Sequence, residues 1–228
     1  MMSKAVAING SPRMERGNTA MVLNSFIEGM TDANCEVELF YASRIKVKPC
    51  ACGKMYCWNE MPGECCIKDK MQLLYPKLRE ADIVILATPV YIPLPGDMQN
   101  IINRLCPLID PVFEFRERRT RARFRKDVRI QSIVLVSTGG WWEKQNFGTV
   151  LRIVKEFAED ASVNFAGAVL RPHASVMKQE GELTQDGRAV LDAVRKAGYE
   201  LVKDGVMREE ILKAISHPLI SRAEFWRE

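Results

Sequence analysis

Two hydrophobic patterns alternate along this chain. Short, nearly continuous apolar runs are each followed by a stretch in which apolar positions recur every three or four residues. The first pattern fits strands buried on both faces of a sheet, and the second fits helices with one buried side. Lys4 to Ile8 predicts a first strand. Met21, Val22, Phe26 and Met30 mark a helix running to about Met30, with Asn18 and Thr19 as its caps. Glu36 to Tyr41 predicts a second strand, with Val37 and Leu39 on one face, and a long loop follows. Asp69 to Arg79 reads as a helix, Asp82 to Ala87 as a third strand and Pro95 to Leu105 as a helix. Ile130 to Val136 is a fourth strand, Glu143 to Glu159 a helix, Asn164 to Leu170 a fifth strand and Gln185 to Lys203 a last long helix.

Strands alternating with helices indicate a parallel sheet covered on both faces. Right-handed crossovers leave few ways to wind it. The expectation is an α/β fold, a doubly wound five-stranded parallel sheet in the order 2-1-3-4-5. Neither internal repeats nor a low-complexity linker divides the chain, so residues 1–206 read as one domain. Residues 207–228, with Pro218, Phe225 and Trp226, read as a tail suited to a subunit contact.

Composition changes this picture little. The 228 residues are 47% hydrophobic and 27% charged, which is globular rather than disordered. No run of about 18 apolar residues predicts a membrane span. The N-terminal residues lack signal-peptide architecture, so a cytoplasmic location is expected. In that compartment disulfides are rare. Five of the seven cysteines nevertheless fall between Cys50 and Cys66, a crowding that asks for a metal, a cluster or redox chemistry. Cys35 and Cys106 stand apart and read as small buried hydrophobes.

The sharpest motif is Asn9-Gly10-Ser11-Pro12-Arg13 followed by Gly17-Asn18-Thr19. It lies between a buried strand and a helix start. Free N–H groups and the positive end of the helix dipole suit a phosphate there. Ser11 and Thr19 add hydroxyls, Asn18 an amide and Arg13 a forked cation. The motif is neither a Walker loop nor a GxGxxG fingerprint.

At these residues the chain resembles the NADPH-dependent FMN reductase family of flavodoxin-like proteins. The resemblance extends through Thr88-Pro89-Val90-Tyr91, Pro95-Gly96 and Asn103-Arg104, and covers roughly residues 4 to 170. It implies that Ser11, Arg13, Gly17, Asn18 and Thr19 hold the phosphate of FMN. It implies that Thr88, Pro89, Val90, Tyr91 and Ile92 contact the isoalloxazine ring, as do Thr138, Gly139 and Gly140. Trp141 and Trp142 follow, suited either to stacking on the flavin or to an interface or lid. All these loops would lie at carboxyl ends of strands, where doubly wound folds bind ligands.

The resemblance also bears on the cysteine loop, whose spacing is Cys50-x-Cys52-x4-Cys57-x7-Cys65-Cys66. An iron–sulfur branch of the family places cysteines after the second strand and holds a [4Fe-4S] cluster near FMN. That branch has a C-x2-C-x2-C spacing, which this chain does not match. Three readings stand: a cluster on Cys50, Cys52, Cys57 and Cys65 (with Cys66 as a substitute), a tetrahedral zinc site, or a loop that covers the flavin or a neighbouring subunit.

Between Arg116 and Arg129 the chain carries eight basic residues against Glu117 and Asp127. This segment reads as a solvated helix or loop, as an attractor for NADPH or an acidic protein donor, or as a nucleic-acid stripe without any accompanying motif. His173 and His217 read as structural or interface residues. Asp69 and Asp82 read as helix-start and loop residues.

The function implied by the resemblance is FMN-dependent oxidation–reduction, with a hydride from NAD(P)H passing through FMN to an acceptor. An electron carrier using FMN and a [4Fe-4S] cluster is the alternative. No side chain is singled out as catalytic, because the flavin supplies the chemistry. The expected partners are a small-molecule or protein electron donor or acceptor and further copies of the chain, as homodimer or homotetramer, without nucleic acid or membrane.

Overall fold

The computed structural model describes residues 2–116 and 118–227. Five parallel strands form one sheet: β1 (Ser3–Asn9), β2 (Cys35–Tyr41), β3 (Ile83–Pro89), β6 (Ser132–Thr138) and β7 (Asn164–Arg171). The two missing numbers, β4 (Ile109–Arg116) and β5 (Arg119–Phe124), form a separate antiparallel hairpin. The sheet order β2-β1-β3-β6-β7 is 2-1-3-4-5 by rank, the doubly wound order expected.

Side chains alternate along each strand between two cores. Val6, Ile8, Val84, Leu86, Ile133 and Leu135 face α4 (Met71–Glu80), α5 (Gly96–Asn103) and α6 (Gly148–Asp160). Ala5, Ala7, Ile85, Ala87, Val134 and Val136 face α1 (Asn18–Asp32), α7 (Gln185–Asp204) and α8 (Glu209–Ser216). Three four-residue helices complete the set: α2 (Ala42–Ile45), α3 (Tyr56–Asn59) and α9 (Arg222–Phe225). No helix among the described residues is long and apolar enough to cross a membrane.

The basic segment is neither helix nor plain loop. Arg116 ends β4 and Arg119–Phe124 makes up β5 of an antiparallel hairpin, with Arg118 just before β5 in the left-handed region at φ 62°. A turn built without Gly or Asn at that position carries no sequence signal. Its arginines meet acids of their own chain: Arg123 with Glu114, Arg119 with Glu156, and Arg121 with both Glu156 and Glu159.

The helix predicted from Glu143 begins as a 3-10 turn over Lys144–Phe147 before α6 proper. The tail folds back on its own sheet, burying Met207, Ile211 and Ile215 among α7 and β7.

Helices α1 and α7 pack backbone to backbone through two glycines. A Cβ on Gly198 would lie 2.1 Å from the Phe26 carbonyl oxygen, and one on Gly29 would lie 1.8 Å from that of Arg195. Neither carbonyl can yield without moving its helix. Gly198→Ala is therefore expected to destabilise the fold by about 1–3 kcal/mol through overpacking. Urea unfolding measures this, and an unchanged midpoint would show that the two helices can part freely.

Candidate functional site

One cleft opens at the carboxyl ends of β1, β3, β6 and β7. Its volume is about 300 Å³, and it is lined by Ser11, Arg13, Gly17, Asn18 and Thr19, by Pro89, Val90 and Tyr91, by Thr138, Gly139 and Gly140, and by Ala174 and Ser175. Thus residues from three separate loops singled out in the sequence share one space, and a fourth loop joins them.

The loop after β1 is held open from within. The Ser11 N–H donates to Asn9 Oδ1 at 2.9 Å, and the Arg13 N–H donates to Ser11 Oγ at 3.3 Å. Met14–Arg16 makes a single 3-10 turn. Asn18 and Thr19 are not the caps of α1. The N-cap is Gly17, which has no side chain to give, and the first turn holds no acid. The first N–H groups of a helix need partners from outside it, and here no cap supplies them. A Cβ at Gly17 would stand 2.8 Å from Ser11 Oγ and 3.2 Å from Arg13 Cβ, so the cradle admits only glycine without rearrangement. Arg13 is exposed and joins none of the ion pairs among the described residues.

Thr19 is placed by a hydroxyl–hydroxyl contact with Thr138 at 2.7 Å, which ties α1 to the end of β6. At the end of β3, Val90 N–H donates to the Thr138 carbonyl at 2.9 Å. The Ser137 hydroxyl donates to the Thr88 carbonyl at 2.7 Å. Thr88 itself is buried beneath the cleft and does not line it. Ile92 is fully exposed and Trp141 largely so, and neither lines the cleft. Trp142 turns away: its Nε1–H donates to the Ile220 carbonyl at 3.1 Å, and its ring stacks on His173.

Ala174 and Ser175 were missed in the sequence. Their signal was positional, since they follow the last sheet strand just as the other loops follow theirs. The corner before them is stapled by Arg171, which is fully buried. Its guanidinium donates to the carbonyls of Pro172, Ile215 and His217 and contacts His173 Nε2 at 2.7 Å. Gly139 N–H donates to the Arg171 carbonyl at 3.0 Å, and Ala174 N–H to the Gly139 carbonyl at 3.0 Å. The cleft wall thus rests on a corner that the C-terminal segment holds in place.

The cysteine loop is anchored by a buried ion pair. Asp69, read as a simple helix start, accepts two bonds from the Arg104 guanidinium at 2.9 and 3.1 Å. Arg104 also donates to the carbonyls of Lys48 and Ile67, and Asp69 accepts the N–H groups of Lys48 and Met71. Burial pushes the Asp69 carboxyl up, but Arg104 and these N–H groups outweigh it and hold it below the usual range. Both ends of the loop are therefore pinned to the end of α5.

Inside the loop the thiols differ in exposure. Cys50 and Cys66 are exposed, Cys52 is half-buried, and Cys57 and Cys65 are buried. Cys57 lies against Cys106, Cys65 against the Tyr75 hydroxyl, and Cys66 against Cys52. Cys106 is therefore not an isolated hydrophobe. Burial and the Cys57 sulfur beside it push its thiol up to about 12. No three Cys, His, Asp or Glu side chains among the described residues converge as a metal-ligand set. The thiols as placed make no ligand set for a single metal ion such as tetrahedral zinc.

Residues 3–145 match the family described as NADPH-dependent FMN reductase. An iron-sulfur flavoprotein of Archaeoglobus fulgidus is 36% identical over 106 residues, 46% of this chain and 46% of that protein. One from Methanosarcina thermophila is 32% identical over 103 residues, 44% of this chain and 51% of the relative. The chain spans about half the length of the curated relatives it matches. Among solved structures, an NAD(P)H:quinone oxidoreductase from Methanothermobacter marburgensis superposes with a TM-score of 0.62 at 14% identity, covering 88% of this chain and all of that one. An FMN-dependent NADH-azoreductase from Bacillus anthracis, solved with FMN, gives 0.60 at 12% identity, covering 90% of this chain and all of that one.

The His173 corner makes a pH prediction. Burial, and then the Arg171 charge, push this imidazole down to about 4. The unfolded chain takes up that proton near pH ~6.5, whereas the folded chain does not. This contribution to stability is complete above about pH 6.5 and is lost as pH falls toward about 4. The urea midpoint should drop between pH 7 and 5, and it should drop less in a His173→Asn variant. Equal drops in both proteins would contradict the assignment.

Proposed function

The chain belongs to the NADPH-dependent FMN reductase family, and on that premise we propose that it binds FMN in the strand-end cleft and uses it to carry reducing equivalents from NAD(P)H to a small acceptor. The observation that carries the reading is the meeting of three strand-end loops around an uncapped helix start. Bound there, FMN would supply a two-electron hydride acceptor.

The residues divide the work of holding it. The N–H groups opening α1, with Ser11, Asn18 and Arg13, suit the phosphate, because donors and a positive dipole end are already aimed there. Val90 and Tyr91 on one side, with Gly139 and Gly140 on the other, suit the ring. A Cβ on Gly140 would meet nothing within 4 Å, so this edge leaves room for a planar group. Thr19 and Thr138, locked to each other, fix the distance between the phosphate end and the ring end. The exposed rim residues Tyr91, Ile92 and Trp141 suit cover by a second copy, in a dimer or tetramer.

The names of the curated relatives favour a second reading, an electron carrier with a [4Fe-4S] cluster on the cysteine loop.

Adding NADPH to anaerobic, FMN-loaded protein should bleach the flavin absorbance near ~450 nm. Absence of bleaching with both NADPH and NADH would overturn the reductase reading. Iron and acid-labile sulfide assayed on the same preparation separate the two readings, with roughly four irons per chain favouring the carrier. Gly17→Ala should weaken FMN binding by about tenfold or more, since its methyl group crowds Ser11 and Arg13. Fluorescence titration checks this, and unchanged affinity would remove the loop from the phosphate site.

A further inference from the structure

One wall of the cleft is bare backbone. Gly139 and Gly140 line it, and a Cβ on Gly140 would meet nothing within 4 Å. Glycines impose no conformation of their own, so such a wall stands where its neighbours put it. Three backbone bonds tie it to the corner after β7. Gly139 N–H donates to the Arg171 carbonyl at 3.0 Å, His173 N–H to the Trp141 carbonyl at 2.8 Å, and Ala174 N–H to the Gly139 carbonyl at 3.0 Å. His173 is fully buried at this corner, in the left-handed region at φ 35° and ψ 50°. Behind it, the C-terminal segment closes on the same residues. His173 Nε2 accepts the Leu219 N–H at 3.2 Å and faces the Arg171 guanidinium at 2.7 Å. Both neighbours are donors, so Nε2 is the acceptor nitrogen and the ring proton sits on Nδ1. The imidazole stacks on Trp142, whose Nε1–H donates to the Ile220 carbonyl, and it packs edge-on with Phe225. Further out, Arg222 pairs with Glu143 at 3.2 Å, and Lys144 Nζ donates to Ser216 Oγ at 3.2 Å. None of these side chains lines the cleft.

We infer that His173 is a positioning residue for the ring end of the flavin site: its backbone N–H holds the Gly139–Trp141 wall, and its Nε2 holds the C-terminal segment that backs that wall. The inference rests on the FMN reading above and divides the cleft in two. The phosphate loop is fixed by bonds among Asn9, Ser11 and Arg13 and by the Thr19–Thr138 contact, none of which involves the corner. The wall, by contrast, is fixed from behind. Removing the Nε2 acceptor leaves the Leu219 N–H and an Arg171 N–H without a partner, and the segment must shift to find another. Two permissive glycines then lose their backing. A ring entering the cleft has to order the wall as it binds, which costs affinity. The contribution of the phosphate, read as the difference between FMN and riboflavin, stays as it was.

The test is a fluorescence titration of the flavin-free full chain with FMN and with riboflavin, each variant at a temperature where circular dichroism shows it folded. His173→Phe keeps a flat ring against Trp142 and removes the acceptor. It should weaken both flavins alike, by about tenfold, and leave the ratio of their affinities unchanged. His173→Gln carries an acceptor oxygen near the place of Nε2 and should recover most of the loss. Trp142→Phe keeps an aromatic ring and removes the bond to Ile220. It should weaken both flavins by about threefold, and it serves if a His173 variant fails to fold. A lowered urea midpoint with neither affinity moved would make His173 a stabilising residue only and overturn the inference. So would a loss confined to FMN, which belongs to the phosphate end, or equal losses in His173→Gln and His173→Phe. An unaltered chain that binds neither flavin would overturn the FMN reading, and the inference with it.

Discussion

Burial of the sheet on both faces leaves polar chemistry one place to go, the ends of the strands. Five parallel strands with apolar side chains alternating between two helical layers cannot carry a ligand on either face. Their carboxyl ends open toward solvent, and the winding reverses there, with β1 leading outward to β2 in one direction and to β3 in the other. Loops leaving neighbouring strands must diverge at that point, and the crevice between them is where such folds take ligands. The Thr19–Thr138 contact, the Val90–Thr138 bond and the Gly139–Arg171 bond each hold one loop to the next across this crevice.

The parts of the fold legible in the sequence were those governed by periodicity. Runs such as Ile83 to Leu86 and Ile133 to Val136 admit little besides central strands, so the strand order followed from general winding rules. The loop after β1 was legible because glycines and hydroxyls crowd there for a chemical reason, and the loops after β3 and β6 through the resemblance to the reductase family. What was illegible depended on contacts distant in sequence. Nothing local announces that Arg118 turns a hairpin, or that its arginines find Glu114, Glu156 and Glu159. Asn18 and Thr19 look like caps by residue type, yet Gly17 takes the cap position and Thr19 is spent on Thr138. Trp141 and Trp142 look like flavin neighbours, but the stacking of His173 and the Ile220 carbonyl draw Trp142 to the other side.

Two buried arginines organise what lies around the cleft, by opposite means. Arg104 has a carboxylate partner and clamps both ends of the cysteine segment to α5. Arg171 has none among the described residues: it spends its donors on carbonyls and His173, and burial lowers its guanidinium to about 10. Removing either would leave several buried acceptors without donors, a costlier change than the loss of one ion pair. The first arginine gives the thiols a fixed frame outside the cleft. The second joins the cleft wall to the end of α8, so a segment close to the C-terminus contributes to a site built mainly from the chain's first half.

The central claim is that the loop from Ser11 to Thr19 receives the phosphate of a flavin mononucleotide. The most direct measurement is a paired titration of the flavin-free protein with FMN and with riboflavin, which differ only in that phosphate. The account predicts that FMN binds at least about tenfold more tightly, and that the difference shrinks as Arg13 is changed to Met. Equal affinities for the two flavins would contradict it, because the uncapped helix start and its cation would then contribute nothing to binding.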